Sequence, residues 1–177
     1  MNIIIRNLQT PFGALILGSY NNKLCLCDWR YRKMRNTIDT RIKKSLNSHY
    51  EEGTSEVIED AIVQLTEYFN QNRKFFNIPL KLIGTEFQQK VWHQLLKIPY
   101  GQTSSYLQLS KDMNNEKAIR AVASANGANA ISIIVPCHRI IGSDGKLVGY
   151  AGGLNAKKKL LALENKDIQP EQLELFK

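Results

Sequence analysis

The sequence has little that would set it apart from ordinary globular proteins. No apolar run approaches the roughly 20 residues needed to cross a bilayer. The opening stretch, MNIIIRNLQTPFG, carries neither a basic leader nor a small-residue cleavage pattern. A cytoplasmic protein with no membrane partner is expected. Cysteine is scarce, with only Cys25, Cys27 and Cys137. An odd count without an export signal argues against a disulfide framework. Histidine is as rare, and His49 and His93 stand far from the Cys25/Cys27 pair, so no metal site is expected. The alternation in KLCLCDW places both cysteines on one face of a strand, where buried free thiols are common. There is no internal repeat, no low-complexity tract, no GxGxxG and no Walker pattern, and no organic cofactor is expected. What the chain has in excess is positive charge: 24 Lys and Arg against 16 Asp and Glu, a net +8. The excess leans toward the C-terminal half and favours a phosphate-bearing partner.

The hydropathy pattern divides the chain in two. NIIIRNL, GALILGSY and KLCLCDW read as strands separated by the turn signals PFG and YNN. The basic stretch 30–46 reads as a solvated face, partly helical or loop. In SEVIEDAIVQLTEYFNQ, apolar residues at 57, 58, 61, 62, 65 and 69 mark a helical face, with Ser55 as its N-cap. This first region, 1–80, is expected to be a small sheet crossed by a helix, structural rather than catalytic. The second, 81–177, opens on a capping box, Thr85 to Gln88. Behind it runs a stripe of Phe87, Val91, Trp92, Leu95 and Ile98. A short helix around SSYLQLSKDM, a polar Asn-Asn turn and a second helix, EKAIRAVASAN, follow in the outline of a helix-turn-helix. The second helix carries small residues and one long basic side chain, Arg120. It reads either as a tightly packed core helix or as a recognition helix that lets a nucleic-acid backbone come close.

The chemistry concentrates in IIVPCHRIIG. ISIIV (131–135) reads as a buried extended segment, and Pro136 stops the ladder before Cys137. A free thiol is only a few per cent ionised at neutral pH. His138, Arg139 and buried dipoles are expected to raise the thiolate fraction, with His138 as base directly or through a water. Glu164, in KKLLALEN, is the candidate acceptor that holds the imidazole. Adjacent residues on a strand face opposite ways, so Cys137 and His138 cooperate only if the chain bends there.

PCHR, preceded by RAVASANGANAISIIV and followed by IIGSDGKLVGYAGGL, closely resembles the O6-alkylguanine-DNA alkyltransferases, the methylated-DNA–protein-cysteine methyltransferases, in their bacterial Ogt-like form. TEFQQKVWHQLLKIPYGQTSSYLQL extends the likeness, which spans about residues 84 to 165. The resemblance implies an α+β fold: a ribonuclease-H-like sheet-plus-helix domain, then a mainly helical winged helix-turn-helix domain carrying the reactive cysteine. It implies stoichiometric, irreversible transfer of the alkyl group from O6-alkylguanine in DNA, with O4-alkylthymine as a second candidate substrate, to Cys137 after the base is flipped out. His138 and Glu164 fall on the relay that removes the thiol proton. Tyr106 falls on the tyrosine facing the flipped guanine, and Asn129 on the asparagine that ties the recognition helix to the active-site segment. Arg120 falls on the finger that fills the vacated stack, with Ala118, Ala121 and Ser124 on the same DNA-facing helix. Val135, Pro136, Val148, Tyr150, Ala151 and Gly152 fall on the guanine pocket, and Lys157 on a lysine near it. The implied partner is double-stranded DNA containing alkylated guanine, approached from the minor groove by a monomer, with no metal and no cofactor. Two departures stand out. Ala130 replaces a common proline and leaves the turn less rigid, and Ala151 replaces a serine hydroxyl.

Two other functions fit part of the pattern: a lesion-binding protein without transfer chemistry, and a Cys-His hydrolase. The first lacks a use for Cys137. The second lacks a use for a helix-turn-helix with an arginine finger.

Overall fold

The computed structural model describes residues 1–165; the end of the predicted second region, 166–177, lies outside them. The first three strands follow the alternating apolar runs: β1 (Ile3–Thr10), β2 (Gly13–Tyr20) and β3 (Lys23–Trp29). They form an antiparallel meander, and a short β4 (Tyr50–Glu52) pairs parallel to β1, giving the order β3-β2-β1-β4. Helix α2 (Glu56–Phe69) crosses the sheet, and its Ser55 cap accepts from the Ile58 N–H as the sequence predicts.

One expectation fails inside β3. The register passes from Gly18 opposite Leu26 to Ser19 opposite Leu24, so Cys25 is the extra residue of a β-bulge. The bulge breaks the period-2 alternation. Cys25 packs with Leu26 in a small cluster under Ile38 and Ile42, whereas Cys27 enters the main core with Leu24. The two thiols therefore do not share a face.

The second correction concerns the basic stretch 30–46. It forms helix α1 (Arg35–Leu46) with Ile38 and Ile42 buried, and several of its charges are not solvated. Asp28, fully buried, accepts from Arg32 (2.9 Å) and Arg35 (3.0 Å). Arg32 also donates to the carbonyls of Gly127 and Asn129, and Arg41 to that of Ala128. The arginines thus cap the carbonyl end of the helix that ends at Gly127, where cations are favoured by its unpaired acceptors and dipole. A charge run read by composition alone does not reveal acceptors that lie almost 100 residues away.

In the second half, α3 (Glu86–Leu95) begins with both hydrogen bonds of the Thr85–Gln88 capping box and buries Val91, Trp92 and Leu95. Next come β5 (Ser104–Ser105), α4 (Tyr106–Asp112) capped by Ser105, and α5 (Ile119–Gly127). β6 (Ile140–Ile141) pairs parallel to β5, and α6 (Leu154–Glu164) closes the described chain. Val122, Ala125 and Asn126 face inward on α5, while Arg120, Ala121 and Ser124 are exposed and Ala118 is half-buried. The small-residue face is therefore turned to solvent rather than packed in the core.

The two halves share a core. The edge of β3 is covered on one stretch by Leu80 and on another by Ile131, through Cys27 N–H to Ala130 O (2.9 Å) and Ser132 N–H to Cys27 O (2.6 Å). An open sheet edge exposes unpaired backbone groups, and here the segment that leads to Cys137 satisfies them. The main hydrophobic cluster runs without a break from Leu15 and Leu65 to Val135 and Cys137.

Candidate active site

The segment before Cys137 is buried, as expected, but it is not extended. Ile131 makes a single bridge, and the chain then turns through 132–134, with Ile133 at φ +72°. A β-branched residue in the left-handed region costs about 1–3 kcal/mol. The surroundings that hold it there are specific. The Asn129 side chain accepts from Ile131 N–H (2.9 Å) and donates to Val135 O (2.9 Å), clasping both ends of the turn. Ser132 donates its hydroxyl to Asp28 (3.0 Å). Rigidity at Ala130 comes from this clasp and from pairing with β3, so a proline is not required.

Pro136 feeds a single 3₁₀ turn, Cys137–Arg139. This is the bend that allows neighbouring side chains to serve one site. His138 is fully buried, and its Nε2 lies 2.7 Å from Glu164 Oε1 at the end of α6. A carboxylate only accepts, so Nε2 carries the proton, and the neutral imidazole presents a bare Nδ1. Arg139 turns away from the thiol. It meets Glu164 through two nitrogens (2.8 and 2.9 Å) and reaches Ile98 O (2.7 Å). Burial alone would push the Glu164 carboxyl up, but His138 and Arg139 outweigh it and hold the group well below the usual carboxylate range.

The electrostatics run against the expected rise in the thiolate fraction. Burial raises the Cys137 pKa, and a hydrogen bond from Asn129 and the Lys157 charge offset only part of that. Burial lowers the pKa of His138. Both shifts favour the uncharged forms, thiol and neutral imidazole, in two adjacent residues of one turn.

Cys137 lies at the floor of a cleft of about 770 Å³. Tyr106 from α4, Asn126 from α5 and Tyr150, Ala151 and Gly152 from the loop before α6 line it. Val135 lies in the core behind the cleft, Pro136 is buried there too, and Val148 is partly exposed outside it. Lys157 does not line it either. Its buried ammonium donates to the carbonyls of Ile140, Val148 (2.8 Å) and Gly149 (3.3 Å), tying down the loop that forms the wall, and burial lowers its pKa to about 8.

Sequence reading missed three contributors. Trp29, from β3, donates to Tyr150 Oη (3.1 Å) and covers Gly152, where a Cβ would come within 2.5 Å of the indole. Asn126 makes a side-chain hydrogen bond to Tyr106 that favours its ionised form, against burial and Cys137, which raise its pKa. Tyr68, from α2, donates to Glu164 Oε1 (2.7 Å). For Tyr68 a signal was present: 57, 61, 65 and 68 continue one helical stripe.

Comparison with known proteins agrees with this architecture over the length of the chain. Residues 3–82 match the family model described as 6-O-methylguanine DNA methyltransferase, ribonuclease-like domain, and residues 86–166 match its DNA binding domain. A methylated-DNA–protein-cysteine methyltransferase of Mycobacterium bovis is 40% identical over 97% of both chains. One from Methanosarcina acetivorans is 51% identical over 88% of this chain and 94% of its own. The crystal structure of Mycobacterium tuberculosis OGT in complex with DNA superposes with a TM-score of 0.79 at 37% identity, covering 97% of this chain and 99% of that one. With its sheet domain, its helix-turn-helix and a cysteine-centred cleft between them, the chain belongs to the 6-O-methylguanine DNA methyltransferase family.

Proposed function

We propose that this protein repairs double-stranded DNA by drawing the alkyl group of O6-alkylguanine onto Cys137, once per molecule. One observation carries the reading: a buried Glu164–His138 pair adjoins in the same turn a thiol at the floor of a cleft lined by α5, whose outer face is exposed. In this reading the region 81–177 binds DNA and reacts, and 1–80 buttresses it, the division expected from the sequence. The protein acts as a monomer in the cytoplasm.

The lesion carbon is inaccessible in a stacked duplex, so the nucleotide is extruded into the cleft at a cost of a few kcal/mol. Small side chains at Ala118, Ala121 and Ser124 let the minor-groove face approach, and Arg120 fills the gap left in the stack. Such contacts carry little sequence information, which suits repair at any site. In the transfer step, the Cys137 sulfur forms a bond to the alkyl carbon as the carbon–O6 bond breaks. The thiol proton passes through a water to His138 Nδ1, and Glu164 stabilises the imidazolium that forms. Negative charge develops on the departing guanine, where the Tyr106 hydroxyl, oriented by Asn126, donates to a ring nitrogen. The Tyr106 proton passes to that nitrogen and the proton held by His138 returns through water to the tyrosinate, so guanine leaves as the neutral base and no net proton is lost or gained. A thioether has no good leaving group, so the protein is spent. Ala151 offers the lesion oxygen a backbone donor only.

The direct test is intact mass spectrometry after incubation with an oligonucleotide containing O6-methylguanine. One added methyl, mapped to the peptide containing Cys137, is expected. Restored guanine with an unmodified protein excludes the mechanism. The finger role has its own test. Arg120→Ala should slow repair in duplex on the order of 10- to 100-fold, the loss of a few kcal/mol of flipped-state stabilisation. Reaction with free O6-benzylguanine, which needs no flipping, should change less than about twofold in the same variant. Equal losses on both substrates remove Arg120 from base extrusion.

A further inference from the structure

The Glu164 carboxylate is crowded by donors from three parts of the chain. His138 and Arg139 approach from the 3₁₀ turn, the Gly101 N–H lies at 3.5 Å from the loop after α3, and Tyr68 reaches Oε1 from α2 of the N-terminal domain. Tyr68 is fully buried, and its ring is fixed by Phe69, Phe76 and Tyr100 at centroid distances of 5.4, 5.4 and 6.2 Å. Packing alone would be served as well by phenylalanine. A buried hydroxyl needs a partner, and here that partner is the one carboxylate that holds His138.

We propose that Tyr68 is a positioning residue of the alkyl-transfer site, its hydroxyl fixing Glu164 Oε1 and setting how strongly that oxygen attracts the His138 proton. The N-terminal domain then sets the strength of the base as well as buttressing the fold. The inference rests on the reading of His138 and Glu164 as a proton relay. Each donor to a carboxylate disperses its charge, so a carboxylate with three strong donors favours imidazolium less than one with two. The other charged and titratable groups around the pair are Arg139 and Lys157, both of which oppose imidazolium formation, and Cys137 in the same turn. Tyr100, with Lys74 over its ring, and Tyr150 stand at the margins. Of these, only Arg139 also donates to Oε1 (2.9 Å), and it does so alongside Tyr68 rather than in its place.

The test is Tyr68→Phe in the full chain, with the rate of transfer from free O6-benzylguanine followed against pH. Loss of the hydroxyl leaves Glu164 a stronger partner for imidazolium, so the His138 pKa rises. The acid limb of the profile should then move to higher pH, with a roughly 3- to 10-fold loss near pH 6 and less than about twofold change on the alkaline plateau. DNA affinity should be unaltered. A Tyr68→Phe protein that is less heat-stable but keeps its acid limb in place overturns the inference, because a structural role moves only the stability. Glu164→Gln separates the two readings. If Glu164→Gln lowers the plateau and Tyr68→Phe leaves the limb unmoved, only the role of Tyr68 falls. If Glu164→Gln has no effect, the relay itself falls. Should Tyr68→Phe not fold, the unaltered protein still decides. A slowly exchanging, downfield Tyr68 hydroxyl proton whose shift follows His138 titration supports the assignment, and a rapidly exchanging one overturns it.

Discussion

Replacing Cys137 by alanine should abolish alkyl transfer completely while leaving DNA binding within about twofold. The loss is absolute because neither other thiol can stand in. Cys25 and Cys27 are buried away from the cleft. Burial pushes Cys25 up to about 12 and Cys27 higher still, the latter with the Asp28 charge adding to it. Among the described residues, neither has a base aimed at it. Cys137 is raised by burial too, so what distinguishes it is its company: the Asn129 amide, the Lys157 charge and a neutral imidazole in the next residue. The reaction therefore depends on removing the proton as the lesion arrives rather than on a standing thiolate. It follows that Cys137 should react slowly with small alkylating reagents at neutral pH compared with an exposed thiolate. Binding should survive because Arg120, Ala121 and Ser124, the face of α5 proposed to meet DNA, do not line the cleft that holds the sulfur, and stability should change by about 1 kcal/mol. Methyl transfer to the alanine protein, detected by mass, would place the acceptor elsewhere and dismantle the proposal.

The sequence made some of this legible and hid the rest for identifiable reasons. Helix starts at Ser55 and Thr85 were readable because caps act over three residues. The reactive cysteine was readable because its motif is contiguous. The extended reading of 131–135 failed because β-branched composition reports burial as much as strand. The turn there is imposed by Asn129, Ser132 and the β3 edge. The shared face of Cys25 and Cys27 failed because one bulge shifts every later side chain. Trp29 stayed hidden because its partner Tyr150 lies 121 residues further on, and the helical stripe that marks Tyr68 as buried does not reveal its partner Glu164, 96 residues away. No local motif in the first 80 residues marks the contacts that Trp29 and Tyr68 make with the site.

The same long-range logic makes Asp28 the residue whose loss should cost the fold most. Its Oδ1 accepts from the Trp29 N–H (2.9 Å) and the Ser132 hydroxyl (3.0 Å), and its Oδ2 accepts from Arg32 and Arg35. A buried ion pair adds little net stability compared with a well-packed apolar pair, but removing one partner strands the other. In Asp28→Ala, Arg32, whose side chain is 4% exposed, keeps its charge with no anion nearby, and the Ser132 hydroxyl loses its acceptor. The expected loss is about 3–5 kcal/mol, a fall of roughly 6–20 °C in Tm at about 2–4 °C per kcal/mol. A surface bridge would contribute far less, and its contribution would vanish in salt. The Asp28 effect should persist in high salt because the charges are buried where ions do not screen them. Transfer should weaken with it, since Ser132 opens the turn that places Cys137 and the arginines hold the carbonyl end of α5. Asp28→Asn keeps the Oδ1 acceptor and should fall between the two. A drop below about 1 kcal/mol in Asp28→Ala, or one that salt erases, would mean that the arginines find other partners and that the two halves are joined by the apolar core and the β3 edge alone.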